Sequence, residues 1–202
     1  MTMEPADFVR KWNEYTARTG NAEENRLVTL SSVDASISAS TRRFLIEAGL
    51  PLECSAGFHS DLSQNLNRVS DVYGCYGQGG DWEPDVYQCL HRYIYLGFDG
   101  GDNPICLDSL AHEKVVFVDH ESFTNPDLSG SFINRGITQF AECILIFQEM
   151  LEHYWQEEGE DADLYVGNIR AGLVKQALTD MHRADPSMVS EGGYWPQLLK
   201  DI

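Results

Sequence analysis

The stretch that decides the fold is YLGFDGGDNPICLD, residues 95–108, in which two apolar runs flank an acidic, glycine-rich centre. The centre, DGGDNP at 99–104, has the composition of a hairpin loop, and we expect positive φ angles at Gly100, Gly101 or both. It also carries carboxylates. The stretch is therefore either a turn between two strands or a loop that holds a metal ion or a phosphate group.

Two further runs of β-forming residues extend this pattern. The first, HRYIYLGF, begins at residue 91, and the second, KVVFVDHE, spans residues 114–121 after a polar gap at 109–113. Short apolar runs separated by turn residues are typical of consecutive antiparallel strands. The sequence therefore predicts an antiparallel meander near residues 91–120.

Helical patterns stand before and after the meander. SASTRRFLIEAGLP at 38–51 combines a serine cap, at Ser38 or Ser40, with the stop signal Gly49 and Pro51. Apolar residues at helical spacing predict three further helices. The first spans residues 5–18, the second runs from a cap at Asn134 to about residue 155, and the third spans residues 164–182. The final aromatic stretch, 194–199, is expected to dock on the body, and the Gly- and Tyr-rich stretch 70–88 is interpreted as a loop. We expect one α+β domain over residues 1–202, with helices packed on the sheet.

The net charge of −18 is unevenly placed, because residues 1–43 carry six bases and six acids while residues 44–202 carry eight bases and 26 acids. Such a field repels nucleic acid and anionic membranes and attracts basic proteins. The five cysteines form no C-x-x-C pair, which is typical of reduced thiols in the cytoplasm. We see no signal peptide and no apolar stretch long enough to span a membrane.

A search for chemistry finds no catalytic or metal-binding motif, so we expect no cofactor and no metal. An EF-hand that began at Asp99 would place Pro104 where glycine is required and Leu110 where the closing acid is required. The His-Glu pairs at 112 and 120 lack the second histidine of a zinc-protease helix. A different calcium site, built from Asp99, Asp102 and Asp108, stays open, as does a catalytic triad assembled only in space.

The order of several motifs resembles the SUKH (Smi/Knr-like) superfamily, and most of all its bacterial group-four immunity proteins. The resemblance covers roughly residues 40–200 and rests on these stretches: FLIEAGLP at 44–51, YIYLGFDGGDNPICLD at 93–108, VVFVDHE at 115–121, FINRGITQFAECILIF at 132–147 and YWPQLL at 194–199. Residues 1–30, interpreted as a helical extension, and residues 70–88, interpreted as an insertion loop, have no counterpart in that pattern.

The resemblance implies a sheet packed by helices on one side and a non-catalytic cytoplasmic protein that binds and neutralises a cognate toxin domain, such as a nuclease or deaminase. We expect a basic toxin, and predict that acids and one tryptophan meet it: Asp81, Trp82, Glu83, Asp85, Asp99, Asp102, Asp108, Glu157, Glu158, Glu160 and Asp161. An adaptor of the same fold that binds an endogenous protein is the alternative, and a metal-dependent hydrolase is a third.

Overall fold

A computed structural model of the chain describes residues 3–20, 23, 25–31, 36–55, 57–62, 66–73, 83–159, 169, 171–188 and 193–200. The helices of these residues are α1 Pro5–Thr19, α2 Ala39–Glu47, α3 Val69–Tyr73, α4 Pro84–His91, α5 Ile137–Glu158, α6 Ala171–Ala184 and α7 Tyr194–Leu198. The strands are β1 Leu27–Val28, β2 Leu50–Pro51, β3 His59–Ser60, β4 Tyr93–Phe98, β5 Pro104–Asp108, β6 Lys114–Phe117 and β7 Ser131–Asn134. The predicted α+β class is confirmed.

The predicted meander forms the centre of a five-stranded antiparallel sheet with the strand order β3-β4-β5-β6-β7. Tyr95 pairs with Cys106, which in turn pairs with Val116, so the three predicted strands lie side by side. Strands β3 and β7 add the two edges, and β1 and β2 form a separate two-stranded ribbon. The run that was expected to start at residue 91 starts at Tyr93, because His91 ends α4.

Helices cover both faces of the sheet, which corrects the expectation of helices on one side. Successive residues of a strand point to opposite faces. Accordingly Ile94 and Leu96 join a core with α1, α2 and α5, while Tyr93 and Tyr95 join a second core with α3, α4 and residues 118–128. We call these the first and the second face. With both faces covered, β5 is buried along its whole length.

Helix α1 is an integral part of the first-face core. Phe8, Trp12 and Tyr15 are buried at helical spacing, as predicted, and the Trp12 indole donates to the carbonyl of Asn25 over 2.6 Å. The hydroxyl of Tyr15 accepts a hydrogen bond from Gln148 of α5 over 3.0 Å. The N-terminal helix is therefore packed into the domain.

The cap predicted at Asn134 is wrong, because residues 131–134 pair with β6 as strand β7 and α5 begins at Ile137. Asn134 is fully buried instead. Its amide nitrogen donates to Asp185 over 3.0 Å, and its amide oxygen accepts from the indole of Trp195 over 2.9 Å. Asn134 thus joins the sheet to the end of α6 and to the C-terminal helix α7. Its hydrogen bond with Trp195 confirms the prediction that residues 194–199 dock on the body.

The loop predicted over 70–88 is wrong at both ends. Residues 69–73 form α3, and α4 begins at Pro84, a residue that suits the first helical turn because it lacks a backbone N–H. Val86 and Leu90 lie four residues apart and are buried against the second face. Residues 74–82 lie outside the described residues. That the stretch is an insertion relative to the family stays a prediction.

We expect the Asp185→Ala variant to lose about 3 kcal/mol of unfolding free energy, because buried donors would be left without an acceptor. The Asp185 carboxylate, 0% exposed, accepts hydrogen bonds from Asn134, from the Arg135 N–H and from both the N–H and the hydroxyl of Ser187. Urea denaturation measures the change. The control Asp180→Ala removes a surface partner of Arg183 on the same helix and should cost under about 0.5 kcal/mol. Equal losses in the two variants would contradict this assignment.

Asp185 should also make stability depend on pH in acid. Burial favours the neutral acid, but the hydrogen bonds from Ser187, Arg135 and Asn134 outweigh it and hold the pKa of Asp185 below its ordinary value. A lowered native pKa stabilises the fold above the unfolded-state pKa, about 3.9, and that contribution disappears as the pH falls through the native value. The gap in unfolding free energy between wild type and Asp185→Asn should therefore narrow from about pH 5 to about pH 3. A gap that is independent of pH would contradict this.

Candidate functional site

The acidic centre of residues 99–104 forms a turn. Oδ1 of Asp99 accepts hydrogen bonds from the Gly101 N–H, the Asn103 N–H and the Asn103 side chain at 2.9, 2.9 and 3.1 Å. The positive φ angle falls on Asp102, at 61°, and not on Gly100 or Gly101 as expected. Aspartate tolerates this left-handed conformation better than most side chains do. The Asp99 carboxylate thus organises the connection between β4 and β5.

Asp108 was expected to contact a partner, but it is buried and has a structural role inside the fold. Its side chain is buried and pairs with the Arg92 guanidinium, whose Nε lies 3.1 Å from Oδ1. It also accepts from the Leu110 N–H over 3.0 Å. Asp99 precedes β5 and Asp108 ends it, so about 14 Å of strand separates them. A calcium site built from Asp99, Asp102 and Asp108 is excluded by this separation.

The second face of the sheet carries a continuous outer layer, which we call the acidic layer: residues 69–73, 83–91, 99–103 and 118–130. Its parts touch one another. The Tyr73 hydroxyl donates to the carbonyl of Asp102 over 3.1 Å, and the Tyr73 ring lies 5.2 Å, centroid to centroid, from that of Phe123. The Cys89 thiol reaches the carbonyl of Leu128 at 3.1 Å. Four segments that are distant in sequence therefore form one surface.

The acidic layer contains eight carboxylates and no lysine or arginine. Its acids are Asp71, Glu83, Asp85, Asp99, Asp102, Asp119, Glu121 and Asp127. Most are exposed; Asp99 and Asp119 are half-buried. Hydrogen bonds from the Ser122 hydroxyl and the Glu121 N–H hold the pKa of Asp119 below its ordinary value, so that it is charged at neutral pH. Two arginines border the layer: the charge of Arg92 is matched by Asp108, and Arg68 directly precedes α3.

The first-face helices carry a different pattern, in which acids stand beside arginines. Within the part of the chain that the structure describes, the pairs on α1, α2 and α5 are Arg10 with Asp7 and Glu14, Arg18 with Glu152, and Arg43 with Glu4 and Glu47. Carboxylates beside cations contribute little net field. The acidic layer, in contrast, keeps eight described carboxylates with no lysine or arginine in its own segments.

The structure brings together four of the predicted partner-binding residues: Glu83, Asp85, Asp99 and Asp102. Glu157 is exposed near the end of α5, the helix that covers the first face. Asp81, Trp82, Glu160, Asp161 and the side chain of Glu158 lie outside the described residues. The sequence interpretation missed Asp71, Asp119, Glu121 and Asp127. A signal for them existed, because residues 69–91 and 118–130 contain no lysine or arginine.

A comparison with protein-family models now adds an independent finding. The model described as SUKH-4 immunity protein matches residues 22–201. The chain belongs to the SUKH-4 immunity protein family. The match confirms the superfamily and the group that the motif series indicated, and it starts earlier than the expected residue 40. No curated protein and no solved structure matches the chain.

The matched range holds the entire acidic layer, whereas α1 precedes it. Membership of SUKH-4 implies the role of an immunity protein, which binds a cognate toxin, and such proteins are generally non-catalytic. Among the described residues, no group of His, Cys, Asp and Glu is arranged to hold a metal ion. No described helix is long and apolar enough to cross a membrane.

We expect Asp99→Ala to lower the free energy of unfolding by about 1–2 kcal/mol, because three donors of the 99–103 turn lose their shared acceptor. Asp99→Asn is the matched control, since its amide oxygen can still accept and should keep most of the stability. Chemical denaturation measures both. If the two variants lose equal stability, the negative charge rather than the hydrogen bonding of Asp99 organises the turn.

Proposed function

We propose that this chain neutralises a basic toxin domain of a bacterial polymorphic toxin system, a nuclease or a deaminase, by covering its nucleic-acid-binding surface with the acidic layer. The chain acts by binding and transforms no substrate. The observation that carries the proposal is the segregation of charge, with eight acids and no lysine or arginine on one layer of a family member whose role is immunity.

The physical argument starts from the toxin. A protein that acts on nucleic acid contacts phosphates through lysine and arginine, so its working surface is basic. A preformed acidic surface attracts that face and accelerates encounter, because complementary potentials steer diffusion. Occupation of the basic face by the immunity protein then excludes the nucleic acid. The tyrosines of the layer, Tyr73 and Tyr87, supply the aromatic contact area in which interfaces are enriched.

We place this neutralisation in the cytoplasm, where toxin substrates such as DNA and RNA are found. Free cysteines among the described residues support the assignment, among them Cys89, Cys106 and Cys143. Burial raises the pKa of the Cys106 and Cys143 thiols, which therefore stay protonated and unreactive. Free thiols of this kind are typical of a reducing compartment.

The test is a kinetic measurement of binding to the toxin domain encoded beside this chain, for wild type and two variants that lose the same number of negative charges. The first variant combines Asp71→Asn, Asp85→Asn and Glu121→Gln in the acidic layer. The control combines Glu4→Gln, Asp7→Asn and Glu14→Gln on and before α1, acids that stand beside arginines. We expect the layer variant to reduce the association rate about tenfold at low salt and to weaken its salt dependence, and the control to change it less than about twofold.

Two results would contradict the proposal. If wild type does not bind the toxin domain at micromolar concentration and low salt, toxin neutralisation by this chain is excluded for that partner. If both variants slow association equally, the attraction comes from the total charge of the chain, and the acidic layer is not the contact face.

A further inference from the structure

The loop Ser109–Glu113, between β5 and β6, presents a side chain that the fold itself does not use. Leu110 is 76% exposed, although Asp108 before it and Val115 after it are buried. Within the described ranges, only Ile46, at 42%, is another large exposed apolar residue. A single exposed leucine is ordinary on a protein surface, so the question is whether the rest of the loop explains its position.

The backbone around Leu110 is held by hydrogen bonds to two neighbouring elements. The Leu110 N–H donates to Oδ1 of Asp108 over 3.0 Å, and the N–H groups of Ala111 and Glu113 reach the Asp108 carbonyl over 3.1 and 3.0 Å. The Ser109 hydroxyl donates to the Arg92 carbonyl over 2.6 Å. The loop is therefore a preformed projection.

The turn that closes the loop is built from unusual residues. His112 and Glu113 have φ angles of 57° and 58°, and the Lys114 N–H bonds the Ala111 carbonyl over 3.3 Å. Two successive positive φ angles match the I′ turn, whose preferred residues are Asn and Gly. Non-glycine residues in this conformation store backbone strain, and such strain persists only where the surroundings hold it.

Glu113 has a structural reason to occupy this turn. Its carboxylate accepts from the hydroxyls of Ser38 and Thr41, at 2.7 and 2.5 Å, and so ties the loop to the first turn of α2. Asp108 is likewise satisfied by Arg92. The carboxylate of the loop, Glu113, and that of Asp108 just before the loop are both engaged in internal contacts, so Leu110 stands beside no free acid. Among the side chains of the loop, Ser109 and Glu113 make contacts inside the fold, whereas Leu110 and His112 are exposed.

We infer that Leu110 is an apolar anchor that enters an apolar pocket of the cognate toxin. The inference rests on the proposed function and deepens it. The loop adjoins the acidic layer, because Ser109 is bonded to Arg92, the residue that follows the C-terminal end of α4. The C-terminal end of α4 is therefore the part of the acidic layer that lies next to the tip, and a partner that extends past this end of α4 meets Leu110. Because the loop is already ordered, the anchor binds with little loss of conformational freedom.

The acidic layer and Leu110 then have separable kinetic roles. Charges at a distance steer encounter and set the association rate, whereas a buried apolar anchor holds the complex and sets the dissociation rate. Truncation of a leucine that is buried in a complex removes transfer free energy equivalent to about a tenfold to hundredfold change in affinity.

The experiment measures association and dissociation rates of the toxin domain encoded beside this chain with Leu110→Ala, Leu110→Met and the matched control Ile46→Ala. We expect Leu110→Ala to raise the dissociation rate about tenfold or more, with the association rate and its salt dependence changed less than about twofold. Leu110→Met should retain wild-type dissociation, since it keeps the apolar volume, and Ile46→Ala should leave both rates unchanged. Thermal denaturation should show the wild-type midpoint for Leu110→Ala and Leu110→Met, because Leu110 is exposed.

The outcomes separate the inference from the proposed function. If Leu110→Ala dissociates at the wild-type rate, the anchor is excluded while toxin binding stands. If size-exclusion chromatography shows that Leu110→Ala breaks a dimer of the free chain, the tip is a contact between copies and the inference is wrong. If wild type does not bind the toxin domain, both ideas fail together.

Discussion

The architecture depends on one constraint, the burial of both faces of the central antiparallel strands. Ile94 and Leu96 point into one core and Tyr93 and Tyr95 into the other, so neither set of helices can be removed without exposing half of the sheet. The first face is covered chiefly by α5, against which α1, α2 and α6 pack. Among the described residues, the second face is covered by the short helices α3 and α4 and the segment 118–130, and it carries the acidic layer.

The polar side chains fall into two groups: those whose interactions stabilise the fold, and exposed acids that we propose for partner binding. Asn134, Asp185 and Trp195 form a buried hydrogen-bonded group that joins β7 to the C-terminal elements. The Asp99 carboxylate accepts hydrogen bonds within the 99–103 turn, and the Asp108 carboxylate pairs with Arg92. Once these are accounted for, the remaining acids of the second face have no lysine or arginine within their own layer. These remaining acids are the ones that the proposed function assigns to a partner.

Family membership and charge distribution support different parts of the functional argument. The match over residues 22–201 establishes the immunity class, while the acidic layer supports the proposal that a basic partner is attracted to this side of the chain. Leu110 adds a proposed contact of a different kind, because it is exposed at the tip of an ordered and strained loop. The two proposals assign the association rate and the lifetime of the complex to different residues.

Local signals in the sequence determined the meander, the α2 cap and stop, and helix α1, because strand alternation, capping and aromatic periodicity act between near neighbours. They misplaced Asn134, since its partners Asp185 and Trp195 lie 51 and 61 residues away along the chain. They also led to residues 84–88 being interpreted as loop, since α4 is stabilised by burial against the sheet rather than by its own length. The net charge and its uneven distribution along the chain followed from the sequence alone. Only the tertiary structure decided which acids form hydrogen bonds or ion pairs inside the fold and which lie together on one face. Both outcomes depend on contacts between segments that are distant in sequence and that the sheet brings together.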